Sequence, residues 1–206
     1  MKAAGNDPAK KTLVILRAVR TVLAREGYAG TTTAKVAAEA GVSRGLLHYH
    51  FKNKEEMIAK VLRANMEGDI QLISVLLDRS ESAEAAADEI VGAIQTRLRD
   101  DPEYFNLFIE GHAIAPGNPV IGSEMDELYH EFRSALIRGL EAMSERGAIA
   151  PEMSIQGLAT LIMAILDGLS IQLLTVLGMR ADEDVFNALR TGLILLLKGD
   201  YQTPGK

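Results

Sequence analysis

Between Thr31 and Met57 the sequence crowds three helix-start signals and a glycine stop into one short run, TTTAKVAAEAGVSRGLLHYHFKNKEEM. Thr32 is placed to cap a first helix, because its hydroxyl accepts a bond from a first-turn N–H that has no partner within the helix. Val36, Ala37 and Ala40 give that helix a small apolar face. Gly41 is its stop, where the chain needs the left-handed backbone that glycine adopts freely. Ser43 is placed to cap the next helix, and Leu47 and Phe51, four residues apart, set its apolar seam. Asn53 caps a third, with Glu56 three residues on in a capping-box arrangement. Two short helices around a tight glycine turn, then a longer helix, spell a helix-turn-helix. The second helix of that unit enters the major groove of DNA.

A helix over 43–51 is short, so most of its outward arc reaches a duplex. At about 100° per residue, Gly45 and Tyr49 lie opposite the Leu47/Phe51 seam, flanked by Arg44, Leu46, His48 and His50. Arg44 falls in the first turn, where recognition helices meet base edges, and its planar fork suits guanine O6 and N7. Gly45 has no side chain to hold the backbone away from the duplex. Leu46 matches a thymine methyl. Tyr49 and His50 can donate to phosphate, and Thr33 and Lys35 stand near the start of the preceding helix, where phosphate contacts set register. Lys54, at the next helix start, adds charge to exposed amide donors. Thr32, Ser43 and His48 complete the expected DNA-facing set. His48 and His50 are two apart on a helix and point in different directions, so they are not a metal pair.

Charge supports a polyanion partner only because it is segregated. Residues 1–65 hold 12 Lys and Arg against 5 Asp and Glu, while residues 66–206 hold 10 against 23, giving the net −6. Local field rather than net charge attracts phosphate. There is no Cys, so disulfides and thiolate zinc sites are excluded. The polar start MKAAGNDPAKK lacks the apolar core of a signal peptide. The run 157–178 is apolar enough to suggest a membrane span, but Asp167 lies at its centre, where a carboxylate costs about 2.5–3.5 kcal/mol. A buried helix in a cytoplasmic protein is the expected reading.

Helical spacing recurs along the whole chain and no useful strand alternation appears. A first helix is expected over 9–25, ending at Gly27; others over 54–78 and from SESAEAAAD to Arg99. Asp101-Pro102-Glu103 opens a helix to Ile114, and Ala115-Pro116-Gly117-Asn118-Pro119 breaks the chain. Ser123 is placed to cap a helix to Arg146, Ser154 one to Leu177, and Asp182 the last, to Lys198. The fold class is therefore all-α: a three-helix domain with the helix-turn-helix at 1–53, then a six-helix domain at 54–206. No nucleophile–base pair, Gly-rich phosphate loop or complete metal cluster is present. Glu127-x-x-His130 is half of a di-iron motif whose second copy is missing. No catalytic residue, cofactor or metal is expected; a helical enzyme or metal-binding bundle is a remote alternative.

Thr32-Thr33, Val36-Ala37, Ala40-Gly41-Val42-Ser43, Gly45, Leu47, Tyr49-His50-Phe51 and Lys54-Glu55 together resemble the DNA-binding domain of TetR-family transcriptional regulators over roughly residues 10–60. His48 departs from the pattern, standing where the family usually has Tyr. The resemblance implies a homodimer whose last two long helices pair with those of a second subunit, with Ile162, Ile165, Leu166, Leu169, Leu173, Val176 and Leu177 as seam residues. It also implies a mainly apolar effector cavity, with Phe105, Phe108, His112, Met125, Tyr129, Phe132, Met163 and Asp167 as its expected lining. A repressor that binds a palindromic operator as a dimer and is released by a small molecule follows from the same resemblance. An activator, or a regulator that senses no ligand, is the alternative.

Overall fold

The computed structural model describes residues 8–101, 103–175 and 183–199. Those residues carry helices and no strand: α1 (Pro8–Gly30), α2 (Thr33–Ala40), α3 (Arg44–His50), α4 (Lys54–Arg79), α5 (Ala83–Asp100) and α6 (Glu103–Ile114), then a 3-10 turn (Ala115–Gly117), α7 (Pro119–Glu145), α8 (Ile155–Thr175) and α9 (Glu183–Lys198). The all-α architecture follows the order read from the sequence. Val176, Leu177 and Asp182 lie outside the described residues.

Local chemistry sets the helix ends. The helical run of α1 breaks at Gly27 (φ 66°, ψ −179°), a left-handed conformation that a side chain would strain. Ser82 caps α5 by accepting from Ala85 N at 3.1 Å. The start of α7 differs from the expectation at Ser123. Asn118 caps it instead, its Oδ1 accepting from Val120 N and Ile121 N, both at 3.1 Å. Pro119 is thus the first residue of the helix, where a missing N–H costs nothing. At α4, Asn53 Oδ1 accepts from Glu56 N at 2.8 Å. The Glu56 carboxylate accepts from Lys52 N at 2.7 Å, one residue beyond the Asn53 N that a capping box would use.

The chain divides into two compact units, residues 1–66 with 106–128 and residues 67–105 with 129–206. Helices α4, α6 and α7 contribute residues to both. In the first unit Ile15, Val19, Val22 and Leu23 of α1 are fully buried, as are Val36, Leu47, Met57 and Ile58. Each such side chain contributes about 1.5–3 kcal/mol by leaving water. In the second unit the stripe Phe186, Leu189, Leu193 and Leu197 of α9 is buried in a core shared with Ala83, Ala86, Ala87, Ile90 and Val91 of α5. Ion pairs Arg190–Asp88 and Lys198–Glu84 edge that contact. Helix α7 lies so close to α4 that a Cβ on Gly139 would come within 2.6 Å of Leu77 Cβ.

Candidate nucleic-acid interface

The turn between α2 and α3 is built as its residues dictate. Thr32 Oγ1 accepts from Lys35 N at 3.3 Å and starts α2. Gly41, at φ 64°, ends it, with Gly41 N donating to Ala38 O (3.2 Å) and Val42 N to Ala37 O (3.0 Å). Two orphan carbonyls are satisfied this way. Ser43 Oγ then accepts from Leu46 N at 3.1 Å and starts α3. Leu47 and Phe51 are buried at 0 and 2 %, so the seam faces the protein and the opposite arc faces out.

On that arc Arg44, Gly45, His48 and Tyr49 are exposed, and Leu46 and His50 are half-buried. Tyr49 is 83 % exposed, which excludes a core role for its ring. The His50 ring packs between those of Tyr49 (centroids 5.3 Å apart) and Phe51 (6.2 Å). At Gly45 a Cβ would meet only Ser43 Oγ, at 3.8 Å, which is ordinary contact. Among the described residues nothing requires glycine there, although glycine costs a helix about 1 kcal/mol relative to alanine. Thr32 and Ser43 are exposed beside their caps, and Thr33 is half-buried.

Two expected phosphate ligands are already engaged. The Lys35 ammonium pairs with Glu26 and donates to Gly30 O at 3.1 Å. Lys54 turns inward: its Nζ donates to Tyr28 O at 3.0 Å and lies 3.7 Å from the Tyr28 ring centroid. Its charge therefore complements the carbonyl end of α1, a tertiary contact that no local pattern announces. Lys54 as a free phosphate cation is corrected by this geometry.

The expected effector residues fall in different places. Phe108, His112 and Met125 belong to the first unit; Phe105, Tyr129, Phe132, Met163 and Asp167 to the second. Phe105, Phe108, Met125 and Met163 are buried. Met125 packs with Leu62 against Gly111, where a Cβ would meet them at 3.2 and 3.0 Å. His112 Nδ1 donates to Phe108 O at 2.7 Å, and the two rings stack at 4.3 Å. Phe132 is half-buried against the second core. Within the second unit an open pocket of about 310 Å³ lies between α7 and α8, lined by Tyr129, His130, Arg133, Thr160, Met163, Ala164 and Asp167. Tyr129 Oη donates to Asp167 Oδ2 at 2.9 Å. Burial, then the neighbouring carboxylate, pushes the Tyr129 hydroxyl well above its usual pKa. Asp167 thus finds its partner on another helix. Sequence reasoning missed a second polar cluster, in which Arg97 pairs with Asp69 and lies 4.6 Å from the Tyr104 ring centroid. Its members come from α4, α5 and α6 with no common spacing to flag them.

The expected seam on α8 needs revision. Ile162 and Leu173 are fully buried within the chain itself and have no surface left for a second subunit. Ile165, Leu166 and Leu169 are half-buried against the second core. The apolar residues that α8 leaves outside are Leu161 (38 % exposed) and Ile171 (46 %), with Ala164 between them.

A profile described as "Bacterial regulatory proteins, tetR family" matches residues 15–61, a segment that contains α2, the turn and α3. The chain is 26 % identical over 172 residues to the HTH-type transcriptional repressor AcnR of Corynebacterium jeikeium, covering 81 % of this chain and 83 % of that one. The fold matches a TetR-family regulator from Mesorhizobium loti with TM-score 0.77 and 18 % identity, over 92 % of this chain and 96 % of that one. It also matches FadR from Bacillus subtilis, solved in complex with stearoyl-CoA, with TM-score 0.74 and 19 % identity, over 91 % and 98 % of the two chains. With its reading helix capped and presented outward, the segment 15–61 matches the DNA-binding domain of the tetR family of bacterial regulatory proteins, and the chain is a DNA-binding transcription regulator similar over most of its length to the repressor AcnR.

Proposed function

We propose that this regulator is a cytoplasmic repressor that binds a palindromic operator as a homodimer and is released by a small-molecule effector. It is a binding protein, not an enzyme. Residues 1–53 read the operator, and residues 54–206 supply the effector site and the dimer contact. The observation that carries the reading is the exposed arc Arg44, Gly45, Tyr49 on a capped helix, with a glycine that the protein's own packing does not need.

The dimer reading draws on the outward face of the last two helices. About a fifth of the residues in the apolar window 155–173 are fully buried within the chain, and others are half-buried. Leu161, Ala164 and Ile171 of α8 are exposed, as are Ala188, Thr191 and Leu195 of α9. Small and apolar residues of this kind let helices approach closely and bury what one chain leaves in water. These replace Ile162 and Leu173 as the proposed contact, with Ile165, Leu166 and Leu169 at its edge. An effector is supported by the open pocket between α7 and α8, where Met163 and Ala164 supply apolar wall and Tyr129 and Asp167 are orienting groups. Release requires that the effector bind one spacing of the two reading helices more tightly than the other.

Selection of duplexes from a random-sequence pool by the full chain tests the proposal. The expected product is an inverted repeat, with half-site centres about 10–10.5 bp apart or a multiple of that, bound by an even number of chains. A motif without two-fold symmetry refutes the dimeric reading.

A further inference from the structure

Tyr28 sits at the end of α1, just before α2, while Lys54 and Glu55 open α4, just after α3. Both ends of the helix-turn-helix segment therefore close on one side chain. Tyr28 Oη donates to Glu55 Oε1 at 2.9 Å, and Lys54 holds the Tyr28 carbonyl and ring face. A third tie leaves the segment: Asn118 Nδ2 donates to Tyr28 Oη at 3.1 Å. Asn118 is also the residue whose Oδ1 caps α7. Around it, Arg63 of α4 pairs with Glu124 and Glu127 of α7, and Leu62 packs against Gly111 of α6. The stretch 106–128 thus belongs to the same compact unit as the reading helix.

We propose that Tyr28 and Asn118 form a latch that fixes the DNA-reading helix against the turn between α6 and α7, and that both are positioning residues for operator recognition. The hydroxyl is the shared element, accepting from Asn118 while donating to Glu55, so each bond orients the other. A hydroxyl that merely plugged a gap would need neither partner. With the latch made, the reading helix and residues 106–128 move as one body. Phe108, His112 and Met125 belong to that body, so a ligand touching them acts on the reading helix without an intervening joint.

The inference rests on the two-fold operator reading, because a fixed orientation matters most when two reading helices must meet two grooves together. Tyr28→Phe removes the hydroxyl and keeps the ring under Lys54. Asn118→Asp keeps the cap oxygen and removes the donor. The probes are a full-site duplex selected by the wild-type chain and the same duplex with one arm scrambled. Each variant is expected to lose about threefold to tenfold in full-site affinity, the effect of one hydrogen bond. Half-site affinity stays near wild type, the melting temperature falls by only a few degrees, and the double variant binds the full site no worse than the weaker-binding single. Equal losses on both duplexes would make the contacts a plain support of α3 and overturn the latch. So would unchanged full-site affinity, or losses that add in the double variant. A wild-type chain that does not distinguish the two duplexes would overturn the two-fold operator instead. Hydrogen exchange then decides the latch: Tyr28→Phe must raise exchange several-fold at residues 118–122, on another helix, and unchanged exchange there overturns it.

Discussion

Gly45→Ala separates the demands of the fold from those of DNA. Gly45 is the second residue of α3 after the Ser43 cap, and an added Cβ meets only Ser43 Oγ at 3.8 Å. Alanine therefore enters without collision and removes backbone freedom from the unfolded chain, a gain of about 0.5–1 kcal/mol. For a chain of 206 residues that gain raises the melting temperature by about 1–4 °C. The same methyl group stands on the outward arc, opposite Leu47, where the backbone is to approach a duplex. An intruding methyl in a close-packed contact costs about 1–3 kcal/mol, and a dimer places two of them on one operator. The expected outcome is a chain that melts higher and binds at least tenfold more weakly. Thermal melting and fluorescence anisotropy on a selected operator measure both sides. A more stable variant that binds as tightly as wild type would refute the argument that Gly45 is there for DNA. A less stable variant would refute the claim of open space.

Arg44→Ala should cost operator binding about 1–3 kcal/mol and relax discrimination at one base pair per half-site; equal loss on random DNA would make Arg44 a phosphate contact. Lys54→Ala should lower the melting temperature, through loss of the Tyr28 carbonyl and ring contacts, while leaving the salt slope of DNA binding unchanged; a slope smaller by about 1 per half-site would restore the phosphate role. Leu161→Glu should yield folded monomers in sedimentation, since its side chain is 38 % exposed in the single chain; an intact dimer would move the interface. Hydrogen bonds from Lys198 and Arg190 hold the Glu84 and Asp88 carboxyls below their usual pKa, so their contribution to stability is full above the unfolded carboxylate range, about pH 4, and is lost as pH falls through the lower folded values. Melting at pH 7 and pH 3 should show a drop that is smaller in Arg190→Met; an equal drop would refute it.

The DNA-binding segment was legible because every signal in it is local. Thr32, Gly41 and Ser43 act within four residues of themselves, and Leu47 and Phe51 need only the helical repeat to be placed. Asn118 shows where local reading stops. It and Ser123 are both competent caps, and the choice between them turns on Pro119, which reads as a breaker until it is recognised as a first helical residue. Lys54 shows the same limit from the side of charge. A cation at a helix start suits phosphate equally well whether or not a carbonyl from a distant turn has reached it first, and Tyr28 is 26 residues away.

Helix α8 explains why the residues of its proposed contact were harder to read than the helix itself. An amphipathic helix carries its orientation in its pattern, as α9 does with Phe186, Leu189, Leu193 and Leu197, all buried. A helix that is apolar on every face has no such direction. Leu161 and Ile162 are neighbours of equal hydrophobicity, yet one is 38 % exposed and the other fully buried; only the packing of the second core separates them. The sequence of α8 is apolar on more than one face, and a single chain buries about a fifth of the window's residues fully and leaves others, among them Ile165, Leu166 and Leu169, half-buried. Asp167 alone carried directional information, because its neighbours at i±3 and i±4 offer no cation. A carboxylate there must be answered from another helix, and Tyr129 of α7 answers it. The polar exception, not the apolar rule, told which side of α8 faces the rest of the protein.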